Sequence, residues 1–471
     1  MRPREARLAS LDDADRIPQP AAGQSHAARR GVGGRLLNVL WLGLVLLSVL
    51  VAAYTGRMDA VQQQALDAAK GAVQLVIGLV GVMAFFLGLM RVARDGGLLI
   101  SVSRALAPLM RRLFPDVPPD HPAMGAMIMN FASNLVGLGN AATPFGLKAM
   151  VELDRLNPRP GVATDSMVLF LAINATSISL LPLGTIAVRA AAGSTAAAAI
   201  VVPTLLATTA STVTAVIVHF LLRRRRRYRF ESFLASAPED RAPAPAVPEP
   251  EIPGPREPLP PASPRARALI GAVAVGLAVA LALEVWRGLE TASGGQVAKD
   301  VLSSWLLPLL IVTMLLVGVA GRVRVYESCV EGAREGLDVA LRIVPFLVVI
   351  LVAVAMFRAS GALDLVIGVL DPITSRLGVP AEALPMALLR PLSGSGAFGV
   401  MSEIMKTHGP DSFIGMLVST YQGSTETTFY VLAVYFGAAG VREGRHALTA
   451  CLLGDLAGFT VATAACHVFF R

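Results

Sequence analysis

The sequence predicts an all-α polytopic membrane protein built of two inverted-topology repeats. Three observations predict it: long uncharged apolar runs, features that recur at a fixed offset across a proline-rich divide, and two apolar segments broken at their centres by small polar residues. The chain of 471 residues is 54% hydrophobic and only 16% charged. A soluble chain carries about 25% charged residues, so lipid, not water, is the solvent this surface suits. Segments 36–54, 71–90 and 190–222 contain no Asp, Glu, Lys or Arg, and a transmembrane helix needs about 20 such residues. The alternating segments of about ten residues that mark a β-barrel are absent.

The net charge of +8 does not point to nucleic acid. The Arg and Lys residues cluster beside apolar runs, as topology signals do, and no aromatic residues interleave with them. Cys329, Cys451 and Cys466 form no paired spacing, which argues against disulfides or zinc.

Residues 1–34 are polar and Arg-rich and are expected to be a disordered tail. Segment 36–54 is too long for a signal-peptide core and is expected to stay as an anchor. Residues 35–227 form the first half, which ends on five arginines, Arg223–Arg227. Residues 228–264 form a linker with eleven prolines between Pro238 and Pro264, an extended spacer by composition. Residues 265–471 form the second half.

The halves share features in order. Gly97, Pro108, Arg112 and Leu113 recur as Gly361, Pro372, Arg376 and Leu377 at an offset of 264. Asp165-Ser166 recurs as Asp411-Ser412 at an offset of 246. The positive-inside bias then places the N-terminus and linker in the cytoplasm and the C-terminus outside. It gives crossings at 36–54, 71–90, 166–188, 196–222, 268–283, 301–321, 343–357, 412–441 and 447–470, about nine in all. Segments 122–147 and 384–402 are expected as re-entrant helical hairpins. With that count the repeats run in opposite senses across the membrane, as in many secondary transporters.

The first broken segment holds Asn130, Ser133, Asn134, Gly137 and Asn140. Asn and Gly disfavour helix continuation, and Thr143-Pro144 reads as a cap followed by a proline at the first helical position. The second carries Arg390 and then Ser393-Gly394-Ser395-Gly396, with Ser395 the expected cap. Irregular backbone at membrane depth is tolerated only against protein or a wet cavity. Small residues could instead serve close helix packing. Two matched breaks rich in Asn and Ser favour a cavity lining.

The crossings that follow add Asn174 and Ser177 in the first half and Gln422, Ser424 and Glu426 in the second. Glu426 could hold a proton or cation, bind a polar substrate, or pair with Arg390 or Lys148. Asp455 is a second acidic candidate. The candidate substrate-binding set is therefore Asn130, Asn134, Asn140, Thr143, Asn174, Ser177, Arg390, Ser393, Ser395, Gln422, Ser424 and Glu426. No phosphate loop, nucleophile motif or metal spacing occurs, so neither an enzyme nor a cofactor is expected.

At these residues a family resemblance emerges. The stretch from Asn134 to Met150, NLVGLGNAATPFGLKAM, resembles spore maturation protein A. RPLSGSGAFGVMSEI, from Arg390, and GPDSFIGMLVSTYQGSTETTFYVLAVYFGA, from Gly409, resemble spore maturation protein B. Both resemble the wider Gate, or nucleoside-recognition, group, which includes parts of concentrative nucleoside transporters. The resemblance implies a bacterial cytoplasmic membrane protein that moves a small polar solute, nucleoside-like by analogy. A coupling ion, H+ or Na+, and a homo-oligomer would fit. The alternative is a non-transporting scaffold or sensor in envelope or spore maturation.

Overall fold

The computed structural model describes residues 32–137, 139–176, 178–230, 262–291, 293–374, 376 and 378–470. Most of the expected tail, most of the linker and Ser177 lie outside the described residues; residues 32–34, expected in the tail, are helical. Within them the chain is all-helical, with no strand. The helices are α1 (Val32–Thr55), α2 (Met58–Asp95), α3 (Leu98–Leu113), α4 (Pro122–Val136), α5 (Gly139–Arg155), α6 (Asp165–Thr176), α7 (Leu183–Ala191) and α8 (Val201–Leu222). After α9 (Pro264–Thr291) come α10 (Gly294–Ala320), α11 (Val325–Ala359), α12 (Ala362–Thr374), α13 (Leu384–Leu389), α14 (Gly394–His408), α15 (Phe413–Ser424), α16 (Thr428–Ala438) and α17 (Ala447–Phe470).

The order α1–α8 is repeated as α10–α17, with α9 interposed. The features that recur in sequence now have structural reasons. Gly97 and Gly361 make the corners after α2 and α11 with φ of +89° and +82°, a left-handed turn that only glycine adopts freely. Pro108 and Pro372 lie inside the helices that follow those corners.

Equivalent helices pack on each other, and they run antiparallel. Along α2 and α11, Gly88 abuts Cys329 and Gly336 abuts Ala84, while Ala72 and Val76 meet Leu351 further on. A Cβ at Gly336 would come within 2.6 Å of the Ala84 backbone, so small residues set this approach. Arg91 fastens the pair to Glu331 at 2.8 Å and also to Glu335. Along α8 and α17, Gly454 meets Ser211 and Ala215, and His446 meets His219 at 3.0 Å.

Three helices among the described residues, Ala197–Leu222, Pro264–Glu290 and Ala447–Phe470, are long and apolar enough to cross a membrane unaided. Helix α9 has no buried residue in that window, and Val275, Val279 and Trp286 face outward. A helix so apolar and so exposed is at home in lipid.

Two expectations are corrected here. Segments 166–188 and 412–441 are not continuous helices. Each is broken at its polar centre, between α6 and α7 and between α15 and α16. Pro182 cannot donate to the preceding turn, and the run Thr425-Glu426-Thr427 sends its backbone elsewhere, the Glu426 amide bonding Ala175 O at 2.9 Å. Each half therefore contains two broken segments, not one.

Candidate functional site

The four breaks meet. Helix α4 starts at His121, whose ring nitrogen accepts from the Ala123 amide at 3.2 Å, with Pro122 at the first helical position. It ends at Gly137, φ +89°. A Cβ there would lie 2.7 Å from Leu181 O, so only glycine lets the tip of α4 reach the α6–α7 break. The Leu180 amide bonds Leu135 O at 2.9 Å and holds it there. The second half repeats the stitch: the Phe429 amide, just past the α15–α16 break, bonds Pro391 O at 3.0 Å.

Two caps differ from expectation. Helix α5 begins at Gly139, so Thr143 and Pro144 sit within it and do not start it. The cap of α14 is Ser393, whose hydroxyl accepts from the Gly396 amide at 3.0 Å. Ser395 lies two positions too late, inside the first turn, where its own backbone is helical.

Between the breaks lies a cavity of about 400 Å³. Asn134 and Gly137 line it from the first break, and Arg390 and Gly394 from the second. Ser179 and Leu181 to Thr185 enter from the α6–α7 break and Gln422, Gly423, Glu426 and Thr427 from the α15–α16 break. Arg94 and Glu335 close one side, 3.6 Å apart.

Arg390 organises the second half of this site. Its Nε donates to Gln422 O at 3.1 Å, one Nη to Thr427 Oγ1 at 3.3 Å and the other to Thr425 O. Gln422 O and Thr425 O are carbonyls freed when α15 stops. A guanidinium has five donors in a planar fork, enough to satisfy a broken helix end. Arg390 also stands 3.5 Å from Glu426. The arginine side chain is 5% exposed and the glutamate 50%. Arg390 is thus a buried strut, and Glu426 is the charged group offered to the cavity. The Glu426 pairing falls to Arg390 and not to Lys148.

The other candidates divide by position. Asn134 lines the cavity and donates to Asn174 Oδ1 at 3.1 Å, and Asn174 in turn donates to Phe170 O at 2.9 Å. Asn174 therefore positions Asn134 from behind. Asn130 is buried off the cavity, donating to Ala142 O at 2.8 Å, and ties α4 to α5. Ser424 is buried and donates to Tyr421 O. Ser393 serves as the cap, and Thr143 and Ser395 do not line the cavity. Asn140 falls in the first turn of α5. Gln422 lines the cavity, and its buried amide oxygen has no hydrogen-bond partner.

Four residues escaped sequence reasoning. Arg94 and Glu335 lie on extensions of α2 and α11 beyond the expected spans. Arg189 and Arg445 form reciprocal clamps between the halves. Arg189 bonds Asp411 at 2.8 Å and Pro410 O at 2.6 Å. Arg445 bonds Asp165 at 2.7 Å and Ala163 O at 3.1 Å. The repeated Asp-Ser pair was the visible signal; each aspartate opens a broken segment and is held by an arginine of the opposite half.

The Arg189–Asp411 clamp carries a pH prediction. Burial acts to raise the Asp411 carboxyl, but the Ser194 hydroxyl, the Thr195 amide and hydroxyl, and the Arg189 charge hold it below its ordinary value. A carboxyl depressed in the folded state stabilises the fold above its unfolded pKa, about 4. That contribution is lost as pH falls through the folded value. The thermal midpoint of the purified protein should therefore drop on acidification below about pH 4, and Asp411→Asn should flatten that part of the profile.

The sequence model of the Gate family, described as nucleoside recognition, matches residues 76–223 and 340–442. The chain belongs to the Gate family. Spore maturation protein B of Bacillus subtilis (strain 168) is 50% identical over 157 residues, 33% of this chain and 88% of that protein. Spore maturation protein A of the same organism is 43% identical over 156 residues, 33% of this chain and 80% of that protein. With a match to each, this Gate protein is a fused member of the spore maturation A/B type. The solved structure of the Alcanivorax borkumensis YdaH transporter covers 92% of this chain and 97% of its own at 18% identity and a TM-score of 0.40, a likeness that carries no further argument.

Proposed function

We propose that this Gate protein is a non-enzymatic transporter of a small polar solute, nucleoside-like in its mix of donors and acceptors, in a bacterial cytoplasmic membrane. The observation that carries the reading is the convergence of four helix breaks, two from each half, on one cavity with Glu426 offered to it. Discontinuous helices around a central site are the usual architecture of secondary transporters. The family's description as nucleoside recognition favours the same solute class.

The repeats are read as inverted, with about nine crossings. Antiparallel packing of equivalent helices, α2 on α11 and α8 on α17, supports that orientation, because a two-fold axis in the membrane plane reverses each helix against its mate. Asn134, Gln422, Glu426 and Thr427 are the proposed solute contacts. Asn130, Asn174, Ser393 and Ser424 are proposed to hold them in place.

Uptake into proteoliposomes tests the roles. Glu426→Gln and Asn134→Ala should each lower initial uptake at least about tenfold, the loss of one charge-assisted or buried polar contact. Unchanged uptake in both would remove the assigned roles. The relatives' names favour a second reading, a maturation scaffold without transport; co-purification of a partner with no solute uptake would select it.

A further inference from the structure

Behind the cavity, where α8 and α17 cross beside the α15–α16 break, lies a cluster of buried oxygens with too few partners. Asp455 on α17 is 2% exposed. One of its carboxylate oxygens accepts from Thr428 Oγ1 at 2.7 Å, and the other, Oδ1, has no partner. The hydroxyls of Ser211 on α8 and Thr425 at the break are also buried without a partner. Many helical hydroxyls among the described residues bond the carbonyl four residues back, as Ser419, Thr420 and Thr463 do. Ser211 and Thr425 do not. Both pack on Gly458, where a Cβ would lie 3.4 Å from Ser211 Oγ and 3.1 Å from Thr425 Cγ2. Asp455 is one turn before Gly458 and on the same helix face. Gly458 thus brings Ser211 and Thr425 against the face of α17 that carries Asp455.

An unpaired buried carboxylate and orphaned buried hydroxyls each cost free energy, so the arrangement needs an occupant. Charge selects its valence. Arg390 contributes +1, and Glu426, 3.5 Å from it, contributes −1. Asp455 leaves one uncompensated negative charge, which suits a monovalent cation. Oxygen chemistry selects its kind. A proton would satisfy the carboxyl alone, whereas a small hard cation would take the carboxylate oxygen and both hydroxyl oxygens together. The C-terminal end of α15, negative by its dipole, points the same way.

We infer that Asp455 Oδ1, Ser211 Oγ and Thr425 Oγ1, with Thr428 Oγ1 beside them, form a sodium site at the crossing of α8 and α17. The site adjoins the cavity through Thr425 and Glu426. Its occupancy does not depend on transport, so it can be tested without uptake.

The test is the thermal midpoint of the full chain in detergent at pH 8, in NaCl, KCl or choline chloride at equal ionic strength. Sodium should raise the midpoint along a saturating curve, as a ligand bound only to the folded state does, and neither KCl nor choline chloride should match it. Asp455→Asn should abolish the sodium-dependent rise. Ser211→Ala should move the half-saturating sodium concentration up about tenfold, or about 1.4 kcal/mol. If Asp455→Asn does not fold, Ser211→Ala decides alone. Equal midpoints in all three salts, an equal rise in KCl, or a sodium response unchanged in either variant would overturn the assignment. A midpoint that follows pH but not sodium would replace the cation by a proton.

Discussion

Arg390→Met should leave little folded protein in detergent. The substitution keeps the length of the stem and removes every donor of the fork. Gln422 O, Thr425 O and Thr427 Oγ1 then lose their donor inside the protein, and Glu426 loses its counter-charge. Breaking a buried charged contact in this way costs roughly 3–5 kcal/mol, a large share of the 5–15 kcal/mol by which domains are usually stable. Size-exclusion recovery and the thermal midpoint read the loss. Arg390→Lys should fall between, because an ammonium keeps the charge but cannot bridge three acceptors in a plane. Equal loss in the Lys and Met variants would mean that fork geometry, and not charge, decides.

Arg189→Leu should be nearly as damaging, and far more so than Asp411→Asn. Arg189 is fully buried. Besides Asp411 it donates to Ala197 O at 3.2 Å, Pro410 O at 2.6 Å, Ser194 Oγ at 3.1 Å, Ala196 O and Ser419 Oγ at 3.4 Å. Leucine leaves acceptors from both halves unsatisfied, at roughly 1–3 kcal/mol for each one that water cannot reach. Asp411 is a third exposed, and asparagine in its place still offers an oxygen to Thr195. Thermal melts of the two variants side by side measure the difference. Matching midpoints would show that the carboxylate, and not the network around Arg189, holds the clamp.

Much of the site was legible because certain residue types cannot pass unnoticed in an apolar run. Glu426 stood out as a charge in an expected crossing and Arg390 as one in an expected re-entrant hairpin, and they meet. Asn134 with Gly137, and Ser393 with Gly394, marked two breaks that the structure keeps. The other two breaks were read as continuous helix because Ser and Thr are compatible with a helix that bonds its own carbonyls. Pro182 was a local signal for the α6–α7 break; the rest of what opens the two is tertiary: Leu180 bonding Leu135 O, Glu426 bonding Ala175 O and Phe429 bonding Pro391 O. Such bonds join positions far apart in sequence, and no local pattern announces them. The misplaced caps have a nearer cause. Thr143-Pro144 and Ser395 each satisfy the local rule for a helix start, but the helices start earlier, one at Gly139 and one on the Ser393 cap. Arg94 and Glu335 were passed over because α2 and α11 run well past their apolar cores, which ion pairs such as Arg91–Glu331 make stable.

The duplicated order of elements was legible only at its landmarks. Gly97 and Gly361 matched because a left-handed corner demands glycine, and Asp165 and Asp411 because each receives an arginine from the other half. The helices between them carry no such landmark, since lipid-facing positions require only apolar character.

The central claim is that the four breaks enclose one solute site served by Glu426. The most direct measurement is the thermal midpoint of the purified wild-type protein and of Glu426→Gln across a panel of small polar solutes, nucleosides included. The account predicts that at least one solute raises the wild-type midpoint in a saturable way and that the rise shrinks or disappears in Glu426→Gln. No shift in either protein across the whole panel, or an identical shift in both, would contradict it.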